Sequence, residues 1–215
     1  MSSRPFGVSL LPTLAQPRPS RVNWPRPDPE APIDANTRTT LDNLLSPDGP
    51  TRYEALLAIV KATDQPVDWA YDVWDDFLAD LKHADPHRRA RAAQILCGLA
   101  KSDPKQRMLK DFDAILAVTH DEKFVTARHT LQSLWKVGLA SKKQQALVLD
   151  RLAARFSGCA AEKNCTLIRY DIIEDLRKLY DAAPDEAIQA RALALIETET
   201  DDKYRKKYAA VWRRA

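Results

Sequence analysis

The chain has 215 residues, with 14 Pro, only 5 Gly, and 33 Lys and Arg against 30 Asp and Glu for a net charge of +3. So few glycines argue against turn-rich sandwiches, barrels and Rossmann-like sheets, and an apolar content of 45% is not that of a wholly disordered chain. No apolar run approaches the ~18–20 residues of a transmembrane helix, and so mild a charge does not by itself call for nucleic acid.

Residues 1–35 alternate Pro with Arg, Ser, Asp and Asn. Prolines fix φ and remove amide donors, so helix and sheet interiors are excluded here. The reading is a flexible or polyproline-like tail. Phe6, Leu10, Leu11, Leu14 and Trp24 give it apolar anchors, so docking on the body or on a partner is the alternative. Arg4 is followed by an apolar stretch from Gly7 to Ala15 that is short and broken by Pro12. No export signal is read there, and a cytoplasmic location is expected.

From residue 36 to 215 apolar residues recur at three- and four-residue spacing, as one buried helix face requires. The pattern predicts helices over 37–45, 50–62, 67–82, 86–101, 105–118, 122–138, 142–157, 165–182, 185–197 and 201–214. Pro47-Asp48-Gly49-Pro50, Asp85-Pro86, Asp103-Pro104 and Pro184-Asp185 punctuate them, and a Pro in a first turn has no amide to lose there. The fold class is all-α.

An internal repeat organises these helices. Its pattern is Arg, then small or apolar residues three and four positions on, then a large apolar residue at the seventh. It occurs as Arg52/Ala55/Leu56/Ile59 and as Arg89/Ala92/Ala93/Leu96. With Ala in place of Arg it recurs as Ala127/Thr130/Leu131/Leu134, and it returns as Arg169/Ile172/Ile173/Leu176 and Arg205/Tyr208/Ala209/Trp212. Each interval has the length of two helices and two turns. Asp48, Asp85 and Asp201 lie four residues before the Arg in three copies. A carboxylate there caps exposed amides at the positive end of a helix. The Arg can reach that carboxylate or the equivalent one in an adjacent repeat.

At these residues the chain resembles HEAT repeats. The run from Asp85 to Leu96 is similar to the start of a HEAT second helix, with its Asp, Arg, Ala-Ala and Leu in place. Leu41/Leu44 and Leu78/Leu81 resemble the ends of first helices. The resemblance covers roughly 36–215 and implies a right-handed α-solenoid of about five helical pairs, in which stacked neighbours bury a continuous core.

Few residues carry recognisable chemistry. Cys97, in an apolar helical run, reads as core. Cys159 and Cys165 flank a loop and read as two reduced thiols, with a local disulfide as the alternative. His83 and His87 stand four apart, but Asp85-Pro86 separates them, so no metal is read. No catalytic residue and no cofactor is assigned, and no phosphate-cradling loop is present. Asp68, Asp72, Asp75 and Asp76 make an acidic helix face opposite Trp69, Val73, Phe77 and Leu81. The cations of 203–214 flank Tyr204, Tyr208 and Trp212, whose spacing of four reads as one packing stripe.

The solenoid reading places Glu54, Arg91, His129, Asp171 and Lys207 on one groove row. Arg88, Thr126, Ile168 and Tyr204 form a second row, and Gln94, Gln132 and Glu174 a third. A groove of mixed sign suits a protein or peptide ligand. The expected function is therefore a non-enzymatic protein–protein scaffold or adaptor. Nucleic-acid binding, by fold-level analogy to HEAT-like DNA glycosylases with Asp171, Arg128 and Trp135 as the nearest candidates, is the alternative. A lyase-like HEAT-repeat enzyme ranks behind it.

Overall fold

The structure is a computed structural model, and it describes residues 33–213. The Pro-rich segment up to residue 32, with its apolar anchors, and Arg214 lie outside the described residues. Ten α-helices and no strand occur among the described residues: α1 (Ala35–Asn43), α2 (Gly49–Ala62), α3 (Ala70–Asp80), α4 (Pro86–Leu99), α5 (Met108–Ala117), α6 (Phe124–Leu131), α7 (Lys142–Gly158), α8 (Cys165–Ala182), α9 (Glu186–Glu197) and α10 (Asp202–Arg213). The fold is all-α. No helix among them is long and apolar enough to cross a membrane.

The helix starts follow the local chemistry of the chain. Asp34, Asp48, Asp85 and Asp185 each accept a backbone N–H of the first turn, at 2.8–3.0 Å. Pro50 and Pro86 sit in that first turn, where their missing N–H has no helical acceptor.

Three boundaries depart from the periodicity, each for a local reason. Helix α3 starts at Ala70 rather than 67, because the Val67 N–H is drawn away to Ser102 Oγ at 2.9 Å. Helix α5 starts at Met108 because Asp103 receives the Arg107 and Met108 N–H groups at 2.9 and 2.7 Å. The chain reaches that cap through Gln106 in the left-handed region, φ 56°. The expected helix over 122–138 ends at Leu131 and gives way to a 3₁₀ segment, Leu134–Leu139. Gly138 lies in that segment against α8, and a Cβ there would stand 2.8 Å from Leu179 Cδ2.

Two series of neighbours run through the molecule. Helix α2 packs on α4, α4 on α6, α6 on α8 and α8 on α10; separately α3 packs on α5, α5 on α7 and α7 on α9. The interior between them holds Trp74, Leu96, Phe112, Phe156 and Tyr208, all fully buried. Closest approach falls at Gly98, where a Cβ would lie 2.1 Å from Thr63 Oγ1, so only glycine lets α4 seat against the end of α2. Cys97 is buried as expected, and burial pushes its thiol pKa well up.

The cysteine loop differs from its favoured reading. Cys159 and Cys165 are joined as a disulfide, with their Cα atoms 5.1 Å apart. Helix α7 ends at Gly158, a short turn over Cys159–Ala161 reverses the chain, and α8 begins at Cys165 itself. The loop is short enough to bring the second thiol back to the first.

Candidate functional site

The repeat Arg builds a rung between successive even-numbered helices. In α4, Arg89 donates through one terminal nitrogen to the carbonyls of His83 and Ala84, at 2.7 and 3.0 Å. Its Nε and other terminal nitrogen grip Asp121 at 2.6 and 2.9 Å. Asp121 also accepts the Lys123 N–H at the entry to α6, so one carboxylate holds the entry of one helix and anchors the previous one. The arrangement returns at the other end of the fold. There Arg169 of α8 holds Glu199 at 2.9 Å, and Glu199 accepts the Asp201 N–H just before α10.

The first rung is built alike but stays open. Arg52 of α2 donates to the carbonyls of Ser46 and Pro47, at 2.6 and 3.0 Å, as Arg89 does in its own loop. Asp85 accepts the His87 N–H, as Asp121 accepts that of Lys123. Yet Arg52 and Asp85 form no ion pair. Between them lies a cleft of about 350 Å³, which Leu45, Arg88 and Arg91 also line. These same three residues border a second cleft of about 310 Å³ between α1, α3 and α4, with Leu41, Val73 and Phe77 on its wall.

The two arginines at the junction differ in state. Arg88 is spent on Asp80, which it holds through two nitrogens at 2.6 and 3.2 Å. Arg91, half-buried, makes no hydrogen bond or ion pair within the described residues. Burial pulls its pKa down; Asp85 draws it back up, and Arg52 and Arg88 push it down again. Desolvation and like charge together make an unpartnered guanidinium unfavourable, and an anion would relieve both.

The other groove candidates fall into a middle group and a distal one. Gln132 and Asp171 meet at 3.1 Å, and Arg128 clamps the same carboxylate at 2.7 and 2.8 Å. Asp171 is buried, so both its oxygens serve the α6–α8 contact rather than a ligand. Thr126 and Ile168, expected on a groove row, are buried as well; the Thr126 hydroxyl donates to Pro86 O across to α4. These positions link neighbouring helices, which is why they do not face solvent. In the distal group Glu174 accepts the Tyr170 hydroxyl at 2.6 Å, and Lys207 Nζ stands 4.4 Å over the Tyr170 ring. Gln94 turns back onto its own helix, donating to Ala90 O at 3.1 Å, and His129 is exposed on α6.

The acidic face of α3 is partly neutralised, since Asp75 pairs with Arg107 and Asp80 with Arg88. The aromatic stripe of α10 packs inward: the Tyr208 hydroxyl donates to Thr166 O at 2.9 Å, and Trp212 lies against Tyr180.

Sequence reasoning missed two buried polar centres. Arg155 is buried, grips Glu162 at 2.6 and 2.8 Å and reaches Thr119. Asp175 is fully buried with one oxygen unpartnered. Burial drives its pKa well up, against the pull of Lys178 at 3.5 Å; Asp171 adds to the rise and the Trp135 backbone N–H opposes it. Neither has a signal in periodicity, because the apolar pattern marks a buried face and does not reveal a polar side chain set into it. Compared with known proteins, the chain matches no family model and no curated protein sequence.

Proposed function

We propose that the helical pairs stack as a right-handed, HEAT-like solenoid, and that the protein is an interaction scaffold holding an extended segment of a partner protein. The two neighbour series, even helices on even and odd on odd, support the stacking. One observation carries the binding role: the adjoining clefts at Arg88 and Arg91, two residues the repeat register singles out, combine an apolar wall with charges of both signs. Mixed potential fixes the register and choice of a peptide better than it suits a phosphate backbone. No cofactor and no catalytic group enter this reading.

The test sets displayed-peptide selection on the full chain beside titration with single- and double-stranded oligonucleotides at low and physiological salt. Saturable peptide binding, lost when Arg88 and Arg91 are both reversed to Glu with helical content intact, is the expected result. Oligonucleotide binding would lose affinity with a log–log salt slope of about −0.7 to −0.9 per phosphate contact. Micromolar oligonucleotide binding that persists at physiological salt, and that fails on removing residues 203–215 or reversing the two arginines, would replace the scaffold reading with a nucleic-acid one.

A further inference from the structure

The closed rungs show what belongs in the open one. At Arg89 the carboxylate of Asp121 occupies the Nε edge of the guanidinium, while the other edge holds loop carbonyls. Arg52 uses only one terminal nitrogen on its loop carbonyls, so no side chain among the described residues occupies the edge that takes Asp121 in the next repeat. Arg91, without a hydrogen bond or ion pair among the described residues, lines the same cleft. The cations there are Arg52, Arg88 and Arg91. Arg88 is already neutralised by Asp80, and the Asp85 carboxylate is turned to the His87 N–H. A surplus of positive charge is left facing the gap.

We propose that this open rung binds a carboxylate side chain, Asp or Glu, of a partner peptide. The apolar residue beside that acid enters the adjoining cleft against Leu41, Leu45 and Phe77. The inference rests on the scaffold reading and adds the chemistry of what is held. Bidentate geometry suits a carboxylate: two parallel N–H donors match two oxygens, as they do at Asp121. The apolar half is equally specific in position. Leu45 is 62% exposed at the junction of the two clefts, so an apolar side chain beside the acid covers it. Two contacts of different chemistry, fixed relative to each other, read a short motif rather than a bulk charge.

The experiment uses the full chain and two randomised, end-blocked dodecapeptide libraries, one with a fixed central Glu and one with a fixed central Gln. Selected peptides are resynthesised with fluorescein and titrated by anisotropy. The Glu library is expected to give micromolar binders with Leu-, Ile- or Phe-type residues flanking the acid. Replacing that Glu by Gln should weaken them at least tenfold. Arg91→Gln in the protein should do the same with an unchanged thermal midpoint, and Arg52→Lys, which keeps charge but loses the two-donor edge, should cost at least fivefold. Peptides that bind but are blind to both protein variants would leave the scaffold standing and overturn the carboxylate site. No binder from either library would overturn both. Binding that appears only after Asp28→Asn and Glu30→Gln would assign the rung to the chain's own acids, and a dimer dissolved by Arg91→Gln would assign it to a second copy; either overturns the partner assignment.

Discussion

The rung between α2 and α4 and the rung between α4 and α6 start from the same sequence pattern and end differently. In both, an Arg one turn into the helix ties its own entry loop through two carbonyls. In both, an Asp at the entry to the next even helix accepts the N–H two residues on. Only the second closes, with Arg89 and Asp121 side chains 15% and 5% exposed. The first leaves Arg52 and Asp85 unpaired with each other, both lining a cleft. A closed rung stiffens the joint between neighbours; an open one gives up that contact and presents its donors to solvent. The proposed binding site thus falls where a structural contact of the repeat is left unmade.

Breaking the closed rung should have the largest effect. Asp121→Ala leaves the Arg89 guanidinium mostly buried without its counter-charge and removes the acceptor of the Lys123 N–H, so the loss of stability is expected at about 3–5 kcal/mol. Chemical denaturation of both proteins measures it; a loss below about 1 kcal/mol would show that the rung does not stiffen the joint. The pH dependence has a definite sign. Burial works to raise the Asp121 pKa, but the hydrogen bond from Arg89, the Lys123 N–H and the two cationic charges hold it below the ordinary carboxylate value. Its stabilisation is thus present above that ordinary value and is lost as pH falls through the folded pKa. Asp121→Ala should remove this acid-side slope.

Next in size is the apolar interior that both rungs share. Leu96, fully buried on α4, should lose about 2–5 kcal/mol on truncation to Ala. Thermal unfolding with an unchanged midpoint would mean that the repeat register is wrong at its best-formed copy.

Asp175 is expected to move stability the other way. Its folded pKa is raised by burial. The proton it keeps therefore stabilises the fold fully below the ordinary carboxylate pKa, and that contribution is lost as pH rises through the folded value. Asp175→Asn keeps the size and removes the ionisation, so it should gain about 1–3 kcal/mol near neutral pH and flatten the alkaline fall. A variant less stable than the parent at pH 7–8 would show that the ionised carboxylate is held favourably.

Much of this was legible before the structure. Asp48, Asp85 and Asp201 mark helix entries because a short carboxylate is the natural acceptor for free first-turn amides, and Leu96 marks a core face because its spacing leaves it nowhere else to go. Asp121 was not legible as a rung partner. It sits two residues before the capping register that Asp85 would suggest, and only the hydrogen bond to the Lys123 N–H reveals the equivalence. The rows of groove residues follow from helical phase alone. Phase cannot tell solvent from a neighbouring helix, so it puts Asp171 in a row with Arg91, and Thr126 and Ile168 in a row with Arg88, although all three are buried. The 3₁₀ segment at Leu134–Leu139 escaped for a similar reason: its apolar spacing continues that of α6, and the close contact of Gly138 with Leu179 is long-range.

The smallest effect on stability is expected at the open rung, and its smallness is the sharpest form of the comparison. Arg91 has no hydrogen bond to lose among the described residues, and burial together with its neighbours Arg52 and Arg88 disfavours its charge. Arg91→Gln should therefore leave the unfolding free energy within about 0.5 kcal/mol of the parent, the range of substitutions away from structural contacts. The matched change at the closed rung, Arg89→Gln, strips two donors from Asp121 and two from the loop carbonyls, and should cost several times more. Denaturant titration of the two variants side by side checks the pair. Equal losses would mean that Arg91 already has a structural role, and the open rung would then be a joint like the others rather than a place kept for a ligand.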